Sequence, residues 1–364
     1  MTQKLNKTII ITGTHLTPAL ELIRQLQVDS KINWQIHYIG RASNSNDPND
    51  ISIESTVIPK NNVKFYPIHC GKFDRRYLPN TLIGISKTLR GFFESCKLIR
   101  KIKPNIIVSF GGYVSVPVIF NGWAKGIKTI THEQTLTNSL TTKINSFFVN
   151  KIALSFENKN QIKQLNQNKI VITGNLLRYE LFNNKISKPN PKFSTSKPTI
   201  YITAGNQGSH IINMYIENIL PQLKKFQIIH QVGKNDFNYF KKLENKYSNY
   251  FSFDYLDTTY LTWIIHNSDI LISRSGANTS QEIVAFNKKS ILIPLLKSQQ
   301  DEQLLNALWV KEKLPHNTII ISQEDLTSKK LLMSIESLLK IKEPSSTIKY
   351  QPNLKLLELI HEII

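Results

Sequence analysis

The chain has 364 residues, 40% of them hydrophobic, and a formal net charge of +20. That length exceeds one ordinary core and argues for two domains. No apolar run reaches the roughly 18 residues of a membrane span, and the opening MTQKLNKTIIITGT lacks the apolar stretch of a secretion signal. Two cysteines, Cys70 and Cys96, are too few for a disulfide framework or a metal cluster, so a reducing cytoplasm is expected. The positive surplus favours a polyanion, either nucleic acid or an anionic membrane face. The lysines are scattered through a Lys-, Asn- and Ile-rich chain, and no nucleic-acid recognition module is visible. The membrane is therefore the expected partner.

Short apolar runs alternate with amphipathic stretches. Residues 8–12 read as a buried strand, followed by Thr17 as N-cap and Pro18 as first residue of a helix running to about Leu26. Further strands are expected at 34–39, 106–110, 128–132, 152–156 and 169–173. The stretch NNKISKPNPKFSTSK breaks the pattern and reads as a linker. Alternation then restarts, with strands at 199–203, 227–231, 251–255, 269–273 and 290–294 and a helix over 277–286. Two more helical stretches follow, over 324–340 and from Asn353 onward. Strand–helix alternation predicts α/β domains with parallel, doubly wound sheets. The expected division is 1–182, a linker over 183–198, 199–345, and a C-terminal helix within 346–364 that packs back on the first domain.

Ligands of such sheets sit beyond the carboxyl ends of the strands, and five post-strand loops hold unusual residues. Thr12-Gly13-Thr14-His15 combines a turn glycine with a helix start. Alone, His15 reads equally as a cap or a surface histidine. Gly111-Gly112-Tyr113-Val114-Ser115 suits an anion or an ordinary turn. His132-Glu133-Gln134-Thr135 places polar side chains at a strand end, where they are costly unless used or paired. Asn206-Gln207-Gly208 opens a helix with backbone N–H groups that suit a diphosphate. In the fifth loop, Arg274 ends a strand, Gly276 turns the chain, and Glu282 lies one helical turn after Thr279. A carboxylate there suits two vicinal hydroxyls, or simply faces water.

Together, FGGYVSVP, THEQ, LSFE, VITGNLLR, AGNQGS, RSGANTSQE and DEQLLNA resemble, in order and spacing, glycosyltransferase family 28, the two-domain GT-B transferases that use UDP-GlcNAc to form lipid II. The resemblance implies two Rossmann-like domains facing across a cleft. It implies donor contacts at Arg178, Asn206, Gln207, Gly208, Arg274, Ser275, Gly276, Ala277, Thr279, Glu282, Glu302 and Gln303, with the uracil near Leu256. The acceptor side comprises Thr12, Gly13, Thr14, Gly111, Gly112, Tyr113, Ser115, His132, Gln134 and Thr135. His15 matches a histidine read as a general base or an acceptor-diphosphate contact. The implied reaction is metal-independent and needs no cofactor. Its substrates are UDP-GlcNAc and a polyprenyl-diphosphate-linked acceptor on the inner face of the cell membrane.

The chain departs from the family in several places, one being the stretch Phe253 to Trp263 around the expected uracil contact, which is longer than usual. Ile10, Ile11 and Thr14 stand where the first loop usually has glycines, Thr135 where asparagine is usual, and Glu302 where histidine or glutamine is common. These departures leave open a different acceptor for the same fold, or a non-catalytic UDP-sugar binder. The stretch 77–103 mixes Leu, Ile and Phe with basic residues and reads either as a membrane-facing helix or as a core-packed one.

Overall fold

The computed structural model describes residues 4–41, 43, 51–71, 78–182, 188–194, 196–205, 207–295, 301–341 and 353–364. The chain divides into two units, Met1–Arg178 with Asn353–Ile364, and Tyr179–Pro352.

The first unit is built from β1 (Leu5–Gly13), α1 (Leu16–Gln27), β2 (Ile32–Arg41), α2 (Ile53–Val57), β3 (Lys64–Ile68), α3 (Leu78–Ile102), β4 (Ile106–Phe110), α4 (Ser115–Ala124), β5 (Lys128–Glu133), α5 (Leu140–Phe148), β6 (Lys151–Leu154), α6 (Lys159–Lys163) and β7 (Ile170–Ile172). Its seven strands pair in parallel in the order β3-β2-β1-β4-β5-β6-β7. The central strands β4 and β5 are buried along nearly their whole length; β4 meets this with the apolar-rich run IIVSF, whereas β5 carries Thr129, Thr131, His132 and Glu133 into the interior. One helix layer covers Ile9, Ile11, Val108 and Phe110; the other covers Ile10, Ile107, Ile152 and Leu154.

The second unit follows the same plan. It comprises β8 (Thr199–Thr203), α7 (His210–Ile219), β9 (Gln227–Gln231), α8 (Phe237–Leu243), β10 (Tyr250–Phe253), α9 (Thr258–Asn267), β11 (Ile270–Ser273), α10 (Ala277–Ala285), β12 (Lys289–Leu292), α11 (Glu302–Lys313), β13 (Thr318–Ile320) and α12 (Ser328–Lys340). Six parallel strands run in the order β10-β9-β8-β11-β12-β13.

Three local features differ from the sequence reading. Helix α1 starts at Leu16 with His15 as its N-cap, two residues before the expected Thr17. Pro18 thus falls inside the first turn, where no N–H needs an intrahelical partner. Strands β3 and β13 are short and were not expected. Within the expected linker, Phe193 is buried and packs edge-on against Phe251 and beside Trp263 in the core of the second unit. Residues 183–187 and 195 of that linker lie outside the described residues.

The last helix, α13 (Lys355–Ile363), belongs to the first unit. Leu356, Leu357, Leu359 and Ile360 join the core of Leu22, Leu26 and Ile9. His361 Nε2 lies 2.7 Å from Asp29 Oδ2, and its ring stacks on Trp34. Trp34 Nε1 donates to the same carboxylate oxygen at 2.8 Å. Asn353 Nδ2 donates to the carbonyls of Thr173 and Asn175 at the carboxyl end of β7. Leu356 is completely buried, so Leu356→Ala is expected to lower the unfolding free energy by about 2–5 kcal/mol, measured by urea denaturation of the full chain. A loss below about 1 kcal/mol would show that α13 contributes little to this core.

Candidate active site

In the first unit, three adjacent parallel strands, β1, β4 and β5, deliver their loops to one edge of the sheet. Gly13 (φ +134°) pairs with Phe110, and a Cβ at Gly13 would fall 2.7 Å from the Phe110 carbonyl. Only glycine permits that approach. The Tyr38 hydroxyl donates to the Gly13 carbonyl at 2.8 Å. Thr14 N donates to the Gly111 carbonyl at 3.2 Å and His15 N to that of Phe110 at 3.4 Å. The first and second loops are therefore zipped together. Thr12 is fully buried inside this junction. The Thr14 side chain occupies the space that Gly112 leaves by lacking a Cβ. Ser115 is buried and donates to the Gly112 carbonyl, closing the turn that starts α4. The Tyr113 phenol faces Arg41, and burial raises its pKa.

The third loop comes to the first through Gln134, whose Nε2 lies 2.6 Å from His15 Nδ1. The opposite edge of the His15 ring rests on Gly111. Burial lowers the pKa of His15, opposed by the nearby carboxylates Glu133 and Glu54. His132 is 1% exposed, with Nε2 within 3.2 Å of the Gly174 carbonyl and 3.3 Å of Ser155 Oγ. Burial pushes its pKa down to about 4, so the ring is neutral. Its enclosure gives it a structural position rather than a ligand-facing one. Glu133 is equally enclosed and accepts from Thr135 N, Thr135 Oγ1, Ser139 N and Thr142 Oγ1. Thr135 is therefore turned inward onto Glu133 and the Thr137 carbonyl.

The second unit repeats this strand-end design. Gly205 and Gly208 have φ of +76° and +72°, and a Cβ on Gly208 would overlap the Val232 carbonyl. Gly233 (φ +83°) faces Gln207 in the same way, so the loops after β8 and β9 touch backbone to backbone. Behind them, buried His230 bridges Tyr250 Oη at 2.9 Å and Asn213 Oδ1 at 3.0 Å. Asn213 Nδ2 donates to that same Val232 carbonyl. Burial drives the pKa of His230 down to about 3. Gln207 is exposed at the loop tip, whereas Asn206 lies outside the described residues.

Arg274 does something other than meet a ligand with its fork. Its Nη1 donates to the carbonyls of Ile293 and Pro294, and its Nη2 to Ser209 Oγ and Gln323 Oε1. Four of the five guanidinium N–H groups are thus spent tying together the loops after β8, β12 and β13. Gly276 caps α10, with buried Ala277 as its first residue. Half-buried Thr279 and Glu282, 8% exposed, follow one turn apart on that helix. Ser275 Oγ donates to the Gln303 carbonyl at 2.6 Å, and Gln303 Oε1 accepts from Leu295 N. Gln303 and Glu302, both half-buried, thus start α11 beside the start of α10. The Leu256 side chain is 4% exposed and packs with Trp263 and Ile264 in the core of the second unit. Arg178 is half-buried and lies at the end of the first unit, apart from these second-unit residues in the chain's division.

Residues 8–154 match the glycosyltransferase family 28 N-terminal domain, and residues 199–360 match the glycosyltransferase family 28 C-terminal domain. The chain belongs to glycosyltransferase family 28. It is similar to the UDP-N-acetylglucosamine–N-acetylmuramyl-(pentapeptide) pyrophosphoryl-undecaprenol N-acetylglucosamine transferase of Clostridium tetani, with 34% identity over 96% of this chain and 94% of that one. A Bacillus thuringiensis transferase of the same description is 33% identical over 98% and 99%. Among solved structures, Acinetobacter baumannii MurG superposes with a TM-score of 0.67 at 18% identity, covering 98% of this chain and 99% of that one. A Neisseria meningitidis UDP-GlcNAc 2-epimerase gives 0.65 at 13%, covering 98% and 99%. These two likenesses are of fold, the GT-B pair of Rossmann-like domains. The chain is thus a family 28 transferase.

Two residues of the family 28 loops escaped the sequence reading. Gly233 follows β9 just as the other turn glycines follow their strands, and that pattern was available in the sequence. Gln323 follows β13, a strand too short to announce itself.

The buried histidines set a pH dependence for the enzyme's stability. Between the ordinary value of 6.5 and about 4 for His132, or about 3 for His230, the unfolded chain binds protons that the folded chain refuses. Stability is thus fully present above the ordinary value and is lost as pH falls through this window. Each histidine should remove about 2 kcal/mol on going from about pH 7 to about pH 5, seen as a falling urea midpoint. An unchanged midpoint would mean that these imidazoles take up protons in the folded state.

Proposed function

We propose that the chain moves GlcNAc from UDP-GlcNAc to the C4 hydroxyl of MurNAc-(pentapeptide)-pyrophosphoryl-undecaprenol, with inversion, to give lipid II. The observation that carries this reading is the near-full-length likeness to transferases of that description. The donor sits on the second unit. The touching glycine turns at Gly208 and Gly233 leave backbone N–H groups and the start of α7 for the diphosphate. Glu282 takes the ribose hydroxyls, with Thr279 beside it on the helix. Glu302 and Gln303 contact the sugar. Arg274 aligns these loops and lends its charge through space to the UDP leaving group.

On the first unit, His15, Gly111, Gly112 and Tyr113 meet the acceptor. In the displacement, an electron pair of the C4 oxygen forms the new bond to the anomeric carbon. The bond from that carbon to UDP breaks, UDP leaves with its electrons, and the hydroxyl proton passes to a base. A different lipid-linked acceptor is the second reading. Thr14 fills the space over Gly112 and Thr135 is committed to Glu133, so two positions near the acceptor differ from the family pattern.

The enzyme works at the inner face of the cell membrane in this reading. No helix among the described residues is long and apolar enough to cross a bilayer. One face of the first unit carries a continuous aromatic cluster instead. Phe120 packs between Phe92, Trp123 and Phe148, with ring centroids 5.3, 5.8 and 5.2 Å away. Phe93, next to Phe92 in the chain, and Phe147, whose ring centroid lies 6.5 Å from that of Phe148, are each 77% exposed. Exposed Lys97 and Lys143 stand one helical turn from these two phenylalanines. That combination suits an anionic lipid surface.

UDP release from UDP-GlcNAc should require a short-chain analogue of the lipid-linked MurNAc acceptor. His15→Ala is expected to lower turnover about 10²-fold or more. Glu282→Ala should raise the donor KM roughly 10- to 100-fold. Release that ignores the analogue, or a His15→Ala enzyme of full activity, would defeat this reading. Sedimentation with vesicles containing anionic lipid should fall in a Phe93→Ser/Phe147→Ser variant and weaken with salt. Undiminished sedimentation of that variant would move the membrane face elsewhere.

A further inference from the structure

An arginine stands at a strand end in each unit, and the two are used differently. Arg274 is engaged through both amino groups. Arg41, the last residue of β2, is engaged mainly through Nε, which donates to Glu54 Oε2 at 3.3 Å. Glu54, on α2, is 1% exposed. Ser52, the N-cap of α2, donates to the Arg41 carbonyl at 2.8 Å, so the strand end and the short helix are fastened together. Among the described residues, the other group at the guanidinium is the Tyr113 phenol, in the loop after β4, which meets both its charge and an N–H. A guanidinium has five N–H groups. Glu54 takes one and Tyr113 another, so most of the fork has no partner among the described residues. The Arg41 side chain is 22% exposed.

As a stabilising element this ion pair is poor. A buried carboxylate offsets its desolvation only when its oxygens are well bonded. Glu54 Oε1 lies 3.2 Å from the same Nε, yet no hydrogen is directed at it. What the pair does provide is aim. With Nε held by Glu54, the two amino groups are left as a fork suited to an oxyanion. The place fits as well. β2 neighbours β1 in the parallel sheet, so Arg41 stands at the same carboxyl edge as His15. The turn beside it adds donors. Gly111 and Gly112 have φ of +68° and +76°, and the N–H groups of Gly112 and Tyr113 form no hydrogen bond to described residues, as in an anion-binding turn. We propose that Arg41 is a further acceptor-binding residue, whose amino groups take an oxyanion of the acceptor, and that buried Glu54 is the positioning residue that holds the guanidinium toward it.

This inference rests on the reading that the acceptor meets the first unit. That acceptor offers two kinds of oxyanion, its diphosphate and the terminal carboxylate of its peptide. Arg41→Met alone would strand the Glu54 charge in the interior, so the test uses Arg41→Met/Glu54→Gln, which removes both charges together. Arg41→Lys keeps the charge without the fork. In the UDP-release assay the double variant should raise the acceptor KM about 10- to 100-fold with the donor KM unchanged, and Arg41→Lys should fall between it and the wild type. An unchanged acceptor KM would overturn the proposal. So would donor and acceptor constants that worsen together with a lowered urea midpoint, because Arg41 would then only neutralise Glu54. An acceptor analogue with its peptide carboxylate amidated identifies the oxyanion: the gap between wild type and variant persists if Arg41 holds the diphosphate and closes if it holds the carboxylate. A wild-type chain that releases no UDP with either analogue would count against the proposed reaction, and direct binding then decides about Arg41. Inorganic pyrophosphate, titrated into the full-length chain with saturating UDP present, should bind the wild type and bind the double variant at least about 10-fold more weakly. Equal binding, or none to either, would overturn the proposal.

Discussion

The close backbone pairing of Gly13 with Phe110 is the constraint on which the first unit's site depends. β1 lies in the middle of a parallel sheet, so its carboxyl end emerges between those of β2 and β4. A side chain at Gly13 would strike the Phe110 carbonyl. Because that space is left open, the loops after β1 and β4 can exchange hydrogen bonds, and His15 becomes the cap of α1 rather than a member of a wandering loop. Gln134 reaches His15 only because β5 is the next strand along. The second unit solves the same problem with Gly208 and Gly233, where two turns press together below the start of α7.

Most of this architecture was legible from the residues. Strands β4, β8 and β9 stand at 106–110, 199–203 and 227–231 as expected, each a short segment with a β-branched apolar centre that is covered on both faces. The ordered loops pointed to the family because each couples a strand end to glycine and a polar side chain. Other parts were hidden for physical reasons. β3, with a proline and a single buried residue, and β13, only three residues long, give no periodic signal. The start of α1 was read from Thr17 and Pro18, but a proline is tolerated throughout a first turn, so it marks the helix start only loosely. Phe193 sits among turn formers and lysines, and only the tertiary structure reveals that a core needs it.

The site residues divide along a line that sequence cannot draw. Pattern alone treats His15 and His132 alike, as polar residues after a strand. Enclosure makes His132 a strut that bonds Gly174 and Ser155 through Nε2, whereas His15 is half-buried and meets Gln134 through Nδ1. Arg274 looks like a phosphate clamp by position, yet its amino groups are consumed by carbonyls and by Ser209 and Gln323. A guanidinium whose two amino groups are engaged in this way stiffens its surroundings, because moving any one loop leaves a buried donor unmet. Thr135 shows the converse. Its small hydroxyl finds its partners inside the loop, at Glu133 and the Thr137 carbonyl.

The return of α13 to the first unit has a consequence for biosynthesis. Residues 353–364 leave the ribosome after every residue of the second unit, yet they supply core side chains that cover Leu22 and Leu26. Domains emerging from the ribosome generally fold in order, the N-terminal one first. Here the first unit cannot close its core until the second has been made. Until then, the apolar stripe of α1 stands open to solvent. Of the two halves of this enzyme, the one translated first is the last to be finished.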